Sequence, residues 1–465
     1  MPSLLDLSAE LQLLIIEYLD TPTTSCAPPA SYFAPRTSRD IASLSSCCRT
    51  LHELSAPTLF RNICLRNDDK SGKSLQAAGN SPWLASFVRE LNFEAQITLD
   101  EEWDEFMPLS DQDFAASVEE VLFHLERFPR LEMMSVQFKC GETETLDEEA
   151  VTVNLYEIWG ETPDPFRDFA ALKLKEDRCD WKAMMARVYD AIGTSERPSA
   201  LTTFEMRNVV PSGVSSFTTE AWRDFLGTLK TFRMSLHGCT GHFNTTFGYN
   251  GFVENLDLLF SQLASVTEFR LGATHKGLPG VPGDCHCVLP LDIQDMPILE
   301  VFELQYCFIS ERTARFIAAH IKTLKRVSLE DCYSALTCDL AEEHTTWATF
   351  FNIIASALEK SLEPPPLETF FVSPRTLGSS RGLDGWNPTP PGTTPISGDE
   401  QQIELAYSIA KTEPHRRPFD YGALDTKYGF LMEDEEENLD TFLAAHDQAA
   451  YDRIMAIVGR QSGGS

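Results

Sequence analysis

Three stretches of the chain carry residue types that perform chemistry in other proteins. Asp69-Lys-Ser-Gly-Lys-Ser74 has the ending of a phosphate-binding loop, where backbone N–H groups cradle phosphate and a lysine offsets its charge. The full pattern requires a glycine five residues before Gly72, and Asn67 stands there, so no nucleotide site is expected. Cys285-His286-Cys287 lies in a Gly/Pro-rich stretch, with Cys239 and His242 upstream. Zinc sites favour ligands about two to four residues apart within each half. Cys239 and His242 fit that spacing, but Cys-His-Cys is too tight for an ordinary finger. Paired loop thiols are the simpler reading, and no metal is expected. The sequence has neither a Gly-x-Ser-x-Gly elbow nor a His-Glu-x-x-His pair. A nucleophilic cysteine requires surroundings that favour the thiolate, and none of the 12 cysteines has such surroundings in its sequence. The ten histidines are scattered. The expectation is a chain without intrinsic catalysis or cofactor.

What elements does such a chain offer instead? Its 465 residues are too many for one core and suggest two or three domains. A hydrophobic fraction of 43% with 23% charged residues fits a globular protein. No apolar run approaches the ~20 residues that span a bilayer. Met1-Pro2-Ser3-Leu4-Leu5-Asp6 has no basic region and no small-residue cleavage site, so a cytoplasmic or nuclear location is expected. The cysteines form no disulfide-like framework and read as reduced, buried thiols. The net charge is −32, of which residues 1–90, with 8 Lys/Arg and 9 Asp/Glu, contribute −1. An acidic surface repels phosphate backbones and anionic headgroups, so neither nucleic acid nor membrane is expected as a partner. A basic protein partner and a purely solubilising surface both remain compatible with this charge.

The first sixty residues are the most informative. Leu7, Leu11, Leu14, Ile15 and Tyr18 fall at helical spacing, with Ser8 placed to cap the helix. Leu13 and Ile16 project to the other side, so this helix is apolar on two faces. Four prolines between Thr21 and Arg36 mark a loop. Thr37 and Asp40 match a capping box, and Ile41 to Leu54 reads as two short helices ended by Pro57. Leu59 to Leu65 alternates like a strand. A unit this small cannot easily bury two apolar faces. Covering the second requires another protein or this chain's own next domain.

From about residue 80 to 375 one motif recurs, apolar-x-x-apolar-x-apolar. It starts at Val88, Leu131, Leu201, Leu229, Val266, Leu299, Leu324 and Leu367. Successive starts are separated by 43, 70, 28, 37, 33, 25 and 43 residues, and the gap of 70 implies a missed copy or a long insertion. Helical patterns lie between copies, at 114–128, 219–229, 310–324 and 347–358. Strand–helix alternation implies parallel strands with crossover helices. The motif resembles the strand segment of a leucine-rich repeat, with Cys307 and Cys332 at the position that usually holds Asn or Cys. Stacked units would form a solenoid with strands on its concave side. An ordinary α/β domain is the alternative. Residues 376–432 read as a Pro/Gly-rich linker and loop. Residues 433–465 read as an acidic run, a helix at 438–458 capping the repeat, and a disordered tail from Gly459.

Residues 1–65 resemble an F-box of the fungal kind, with an insert at about 21–37. The family pattern opens Leu-Pro-x-Glu-Leu, followed by Ile and then Tyr-Leu. Leu7, Glu10, Leu11, Ile15, Tyr18 and Leu19 match it. In its second half Leu44, Cys48, Arg49, Leu51, Pro57, Leu59, Phe60 and Arg61 match, with Cys47 at the valine position. Ser8 replaces the usual proline, and the insert adds length at little entropic cost. The resemblance implies an α+β chain in which a three-helix F-box precedes an irregular α/β repeat domain. It implies docking to the Skp adaptor of a cullin-based (SCF) ubiquitin ligase. The docking residues carried over are Leu7, Leu11, Ile15, Leu19, Leu44, Cys48 and Leu51, some of which must also hold the module's own core. The repeat domain would select a protein target, as yet unidentified. Any acceleration would come from proximity to a conjugating enzyme. The alternative is an interaction scaffold outside any ligase, with helix 1 packed on its own chain.

Overall fold

The computed structural model describes residues 7–20, 39–97, 114–140, 166–236, 245–273, 278–280, 288–335, 345–377, 392–394, 396–424 and 431–462. In chain order the first elements are α1 (Ala9–Asp20), α2 (Arg39–Ser45), α3 (Arg49–Leu59), β1 (Asn62–Arg66), α4 (Asp69–Gly79), α5 (Pro82–Ala85), β2 (Glu90–Ile97), α6 (Ala116–Phe123) and β3 (Met133–Cys140). Then come α7 (Phe169–Glu176), α8 (Asp180–Thr194), β4 (Thr203–Val209), α9 (Glu220–Gly227), β5 (Thr231–Leu236), α10 (Thr245–Glu254), α11 (Asp257–Phe260) and β6 (Glu268–Gly272). The next are β7 (Val301–Gln305), β8 (Phe308–Ile309), α12 (Glu311–Ala319), β9 (Arg326–Glu330), β10 (Tyr333–Ala335), α13 (Trp347–Lys360) and β11 (Thr369–Val372). The chain closes with β12 (Thr376–Leu377), β13 (Thr393–Thr394), α14 (Glu400–Thr412), β14 (Tyr421–Leu424), β15 (Leu431–Glu433), α15 (Glu435–Ala444) and α16 (His446–Ser462).

Two compact units result. One comprises Met1–Cys140 with Arg178–Arg207, the other Gly141–Asp177 with Asn208–Ser465. The first thus joins the N-terminal helices to the earliest strands, a different division from the expected boundaries near 65–80 and 376. In this unit β1, β2, β3 and β4 are parallel neighbours in that order. In the second, β5, β6, β7, β9 and β11 pair in parallel in the same sequential way.

All eight motif copies run into these parallel strands, each beginning two residues before its strand, and the pairing aligns them position for position. Phe232, Phe269, Phe302, Val327 and Phe370 form one row across the second unit, and Met234, Leu271, Leu304, Leu329 and Val372 the next. The first motif residue is buried in every copy, from Val88 to Leu367. A strand's side chains alternate between faces, so the second and third motif residues, two apart, point the same way and form one apolar ladder toward the helices, while the first is buried just before the strand. Helices cover it through ring contacts: Phe260 on Phe269, Phe316 on Phe302, and Phe351 and Tyr451 on Phe370. Tyr189 of α8 meets Phe138 in the first unit in the same way.

Several expectations are corrected. Of the two readings of the gap of 70, the insertion is the one that holds, because β3 pairs directly with β4. β1 is one more copy of the pattern (Phe60, Ile63, Leu65), aligned with Leu91 and Phe93 of β2. Pro57 lies inside α3, which runs on to Leu59; the Phe60 N–H still reaches Ala56 O at 2.9 Å. The predicted linker at 376–432 contains α14 and β14, and the C-terminal helix is two, broken at Ala445 with φ 59°. The second of them continues to Ser462, through the start of the expected tail.

A second, smaller sheet in the later unit has the order β15-β14-β10-β8. Its origin is local. Tyr306 and Asp331, just past β7 and β9, take left-handed backbone angles (φ 52° and 49°), which turn the chain into β8 and β10. Between turn and strand sit the buried thiols Cys307 and Cys332, whose Sγ atoms reach Gln305 O (3.4 Å) and Leu304 O (3.7 Å).

Candidate functional site

The seven N-terminal candidates separate by burial. Leu7 and Leu11 are exposed (36% and 47%), Ile15, Leu19, Leu44 and Cys48 are half-buried, and Leu51 is buried. The inward side of the three helices is built from Ile16, Ile41, Leu51 and Ala56, with Gln12 buried beside them and its Nε2 donating to Leu7 O at 3.2 Å. Ser45 Oγ and His52 Nδ1, 2.9 Å apart, tie α2 to α3. Leu51 therefore belongs to the module's own packing. Conversely, Leu13, Leu14 (57%) and Tyr18 (78%) are exposed. Helical periodicity marked Leu14 and Tyr18 as one stripe with Leu7 and Leu11. It could not tell that Ile16, one position away from that stripe, faces inward. Leu11, Leu14 and Tyr18 thus form an exposed apolar stripe on α1, continued by Leu7 just before it. At its start, a backbone hydrogen bond and the Ser8 hydroxyl hold Glu10 below the ordinary carboxylate range.

The chemistry-bearing motifs resolve differently. Asp69–Ser74 forms the first turn and a half of α4, capped by Asp68, whose Oδ1 accepts from Ser71 N at 2.7 Å. Lys73 pairs with Asp69 at 2.7 Å, and Gly72 is pressed against Ser117. A helix with its first turn already capped and its glycine covered has no free cradle for phosphate. Cys239, His242 and Cys285–Cys287 lie outside the described residues. Among the described residues no group of three His, Cys, Asp or Glu is placed to hold a metal ion. Burial raises the thiols of Cys64, Cys179 and Cys307, and pushes Cys332 up to about 12. Such thiols are poor nucleophiles.

The sheet face opposite the helices is polar in both units. In the first, Asn62 donates to Glu90 Oε2 (3.0 Å), Asn92 donates to Asn62, and Ser135 donates to Asn92 Oδ1 (2.5 Å), a ladder crossing three strands. In the second, Glu303 bridges Arg270 and Arg326, and Phe371 stands exposed at the end of the same row. Strand register and these mutual bonds fix the side chains of this polar face.

A charged cluster lies in the second unit. Arg375 Nε bonds Asp420 Oδ2 (2.8 Å), and its Nη2 bonds Asp331 Oδ1 (3.0 Å). Thr394 donates to Asp420 Oδ1 (2.8 Å), and Tyr333 OH donates to Glu433 Oε1 (3.3 Å). Burial pushes Asp420 up to about 6 against the opposing pull of Arg375. Burial, then the Asp420 charge, pushes Glu433 up to about 7. The adjoining cavity, lined by Asp331, Ser373, Arg375 and Asp420 among others, is about 10 Å³, room for a single water. It admits no substrate.

The chain matches no known family model and no curated protein sequence. No helix among the described residues is long and apolar enough to cross a membrane.

Proposed function

We propose that the protein is the substrate-recognition subunit of an SCF-type ubiquitin ligase. It docks the Skp adaptor, and through it the cullin scaffold, by its N-terminal helices, and takes its protein target on the polar face of the parallel strands. The observation that carries this reading is the exposed stripe Leu7, Leu11, Leu14 and Tyr18, on a helix whose sequence matches the F-box pattern. Exposed apolar side chains in one contiguous row are unusual on a monomer and mark interaction sites. The parallel strands, aligned copy for copy, support the leucine-rich-repeat-like reading of the remainder. In this role the protein performs no covalent step. It raises the effective concentration of a target lysine near a charged conjugating enzyme.

The test is direct binding of purified full-length protein to purified Skp adaptor, followed by co-elution of the trio with cullin. Submicromolar binding that survives gel filtration is the expected result. No detectable association of the folded protein with the adaptor rejects the proposal and leaves the scaffold reading.

A further inference from the structure

We propose that Phe419–Leu424 together with Leu431–Ser462 act as a proton-operated latch, docked on the rest of the second unit while Glu433 holds a proton and loosened when that proton is lost. The proposal goes beyond the ligase reading and does not rest on it.

The geometry supplies the reason. Arg375 is the cation of the cluster, and its Nε and Nη2 are committed to Asp420 and Asp331. Three carboxylates therefore surround one guanidinium. Glu433 is the one left without a cation of its own. Its Oε1 accepts from Tyr333 OH at 3.3 Å, while its Oε2 is buried with no hydrogen-bond partner among the described residues. The groups that face it are Tyr333 of β10, Arg375 after β11, Asp420 before β14 and Glu435 at the start of α15. Asp331, the other acid on Arg375, also interacts with Tyr306. Apart from the guanidinium, every charged group in that set is acidic. A buried carboxylate lacking a counter-ion is far more costly than the neutral acid, so the docked state retains the proton.

The same cluster sits where the segment is attached. Ser334 N donates to Asp420 O (2.9 Å) and Trp347 Nε1 donates to Asp420 O (2.9 Å), while Asp434 N donating to Tyr421 O (3.0 Å) ties the segment's two strands to each other. β14 pairs with β10 in parallel and with β15 in antiparallel fashion. Glu433 thus lies on the edge strand of the sheet that fastens the segment. On undocking, the carboxyl meets water, the O–H bond breaks and the proton passes to solvent. The carboxylate left behind must lose its hydration to dock again.

Hydrogen exchange of peptides covering 419–424 and 431–458 in the full-length protein tests this. With each amide corrected for its intrinsic rate, Glu433 should raise the opening constant by up to roughly tenfold per pH unit between about pH 5 and about pH 7 and no further above, while Asp420 and Asp447, which burial raises to about 6, add to the slope below that value. Glu433→Gln, which keeps an acceptor for Tyr333, should lower that slope by about one proton. An unchanged slope in this variant, or a flat profile in the unsubstituted protein, overturns the proposal. Should the variant fold poorly, infrared difference spectra with labelled glutamate decide on the native chain. A protonated carboxylic C=O band at neutral pH supports the latch, and its absence rejects it.

Discussion

Replacing Leu11 and Leu14 together gives the sharpest measure of the docking surface. Both are about half exposed, at 47% and 57%. Full burial of a leucine side chain is worth about 1.5–3 kcal/mol, so covering the exposed half of each contributes roughly 1 kcal/mol. Leu11→Ala with Leu14→Ala should then weaken adaptor binding by about 2 kcal/mol, roughly thirtyfold. Aspartate at both positions adds the desolvation of two carboxylates and should abolish binding at micromolar concentrations. Neither pair should shift the melting temperature appreciably, because exposed substitutions typically change stability by less than about 0.5 kcal/mol. Ile16→Ala is the contrasting case. Ile16 is buried, so the change should cost about 2–4 kcal/mol of stability in the helical module and affect binding only through unfolding. The assay is calorimetric titration with purified adaptor alongside thermal melting. Binding of the double aspartate variant within about threefold of the parent refutes the assignment of this face.

Further outcomes follow from particular contacts. Phe269 stacks between Phe232 and Phe302, with centroids at 6.2 and 5.8 Å, and meets Phe260 edge-on at 5.2 Å. Phe269→Ala should cost about 3–5 kcal/mol, read as lost exchange protection in β5, β6 and β7; protection unchanged in those strands contradicts the ladder. A Cβ at Gly72 would stand 2.4 Å from Ser117 Oγ and 2.7 Å from its carbonyl carbon. Gly72→Ala should therefore lower the urea midpoint by an amount worth about 1–3 kcal/mol, even though alanine favours helix by about 1 kcal/mol. Glu176 is buried and accepts from Ser215 N (2.6 Å) and Ser215 Oγ (2.9 Å). Glu176→Ala should cost about 2–4 kcal/mol by leaving both donors without a partner, a loss visible in denaturant titration. Asp447 accepts from Tyr421 OH and Ala348 N, yet burial pushes it up to about 6. Its folded value lies above its unfolded value. Its contribution is therefore complete below about pH 4 and is lost as pH rises through about 6, by at most about 3 kcal/mol. A carboxyl-carbon titration of Asp447 with a midpoint in the ordinary aspartate range rejects this.

Periodicity was enough to place the parallel strands. The spacing of Phe302 and Leu304, repeated from copy to copy, is dictated by the two-residue alternation of a strand, a local property of the chain, and Leu299 marks the approach to it. Helix starts were equally local: Ser310 and Thr219 cap their helices by accepting from Thr313 N and Trp222 N. The N-terminal helices were legible for the same reason. Which side of α1 turns inward was not, because Ile16 and Leu14 are equally apolar and only the placement of α2 and α3 chooses between them. Nor could sequence join Arg375 to Asp420 and Asp331, residues 45 and 44 positions away. Hydrophobic pattern is written residue by residue along the chain. A salt link between distant segments exists only once β9, β11 and β14 have converged, and so does the strain of a carboxyl left beside them without a cation.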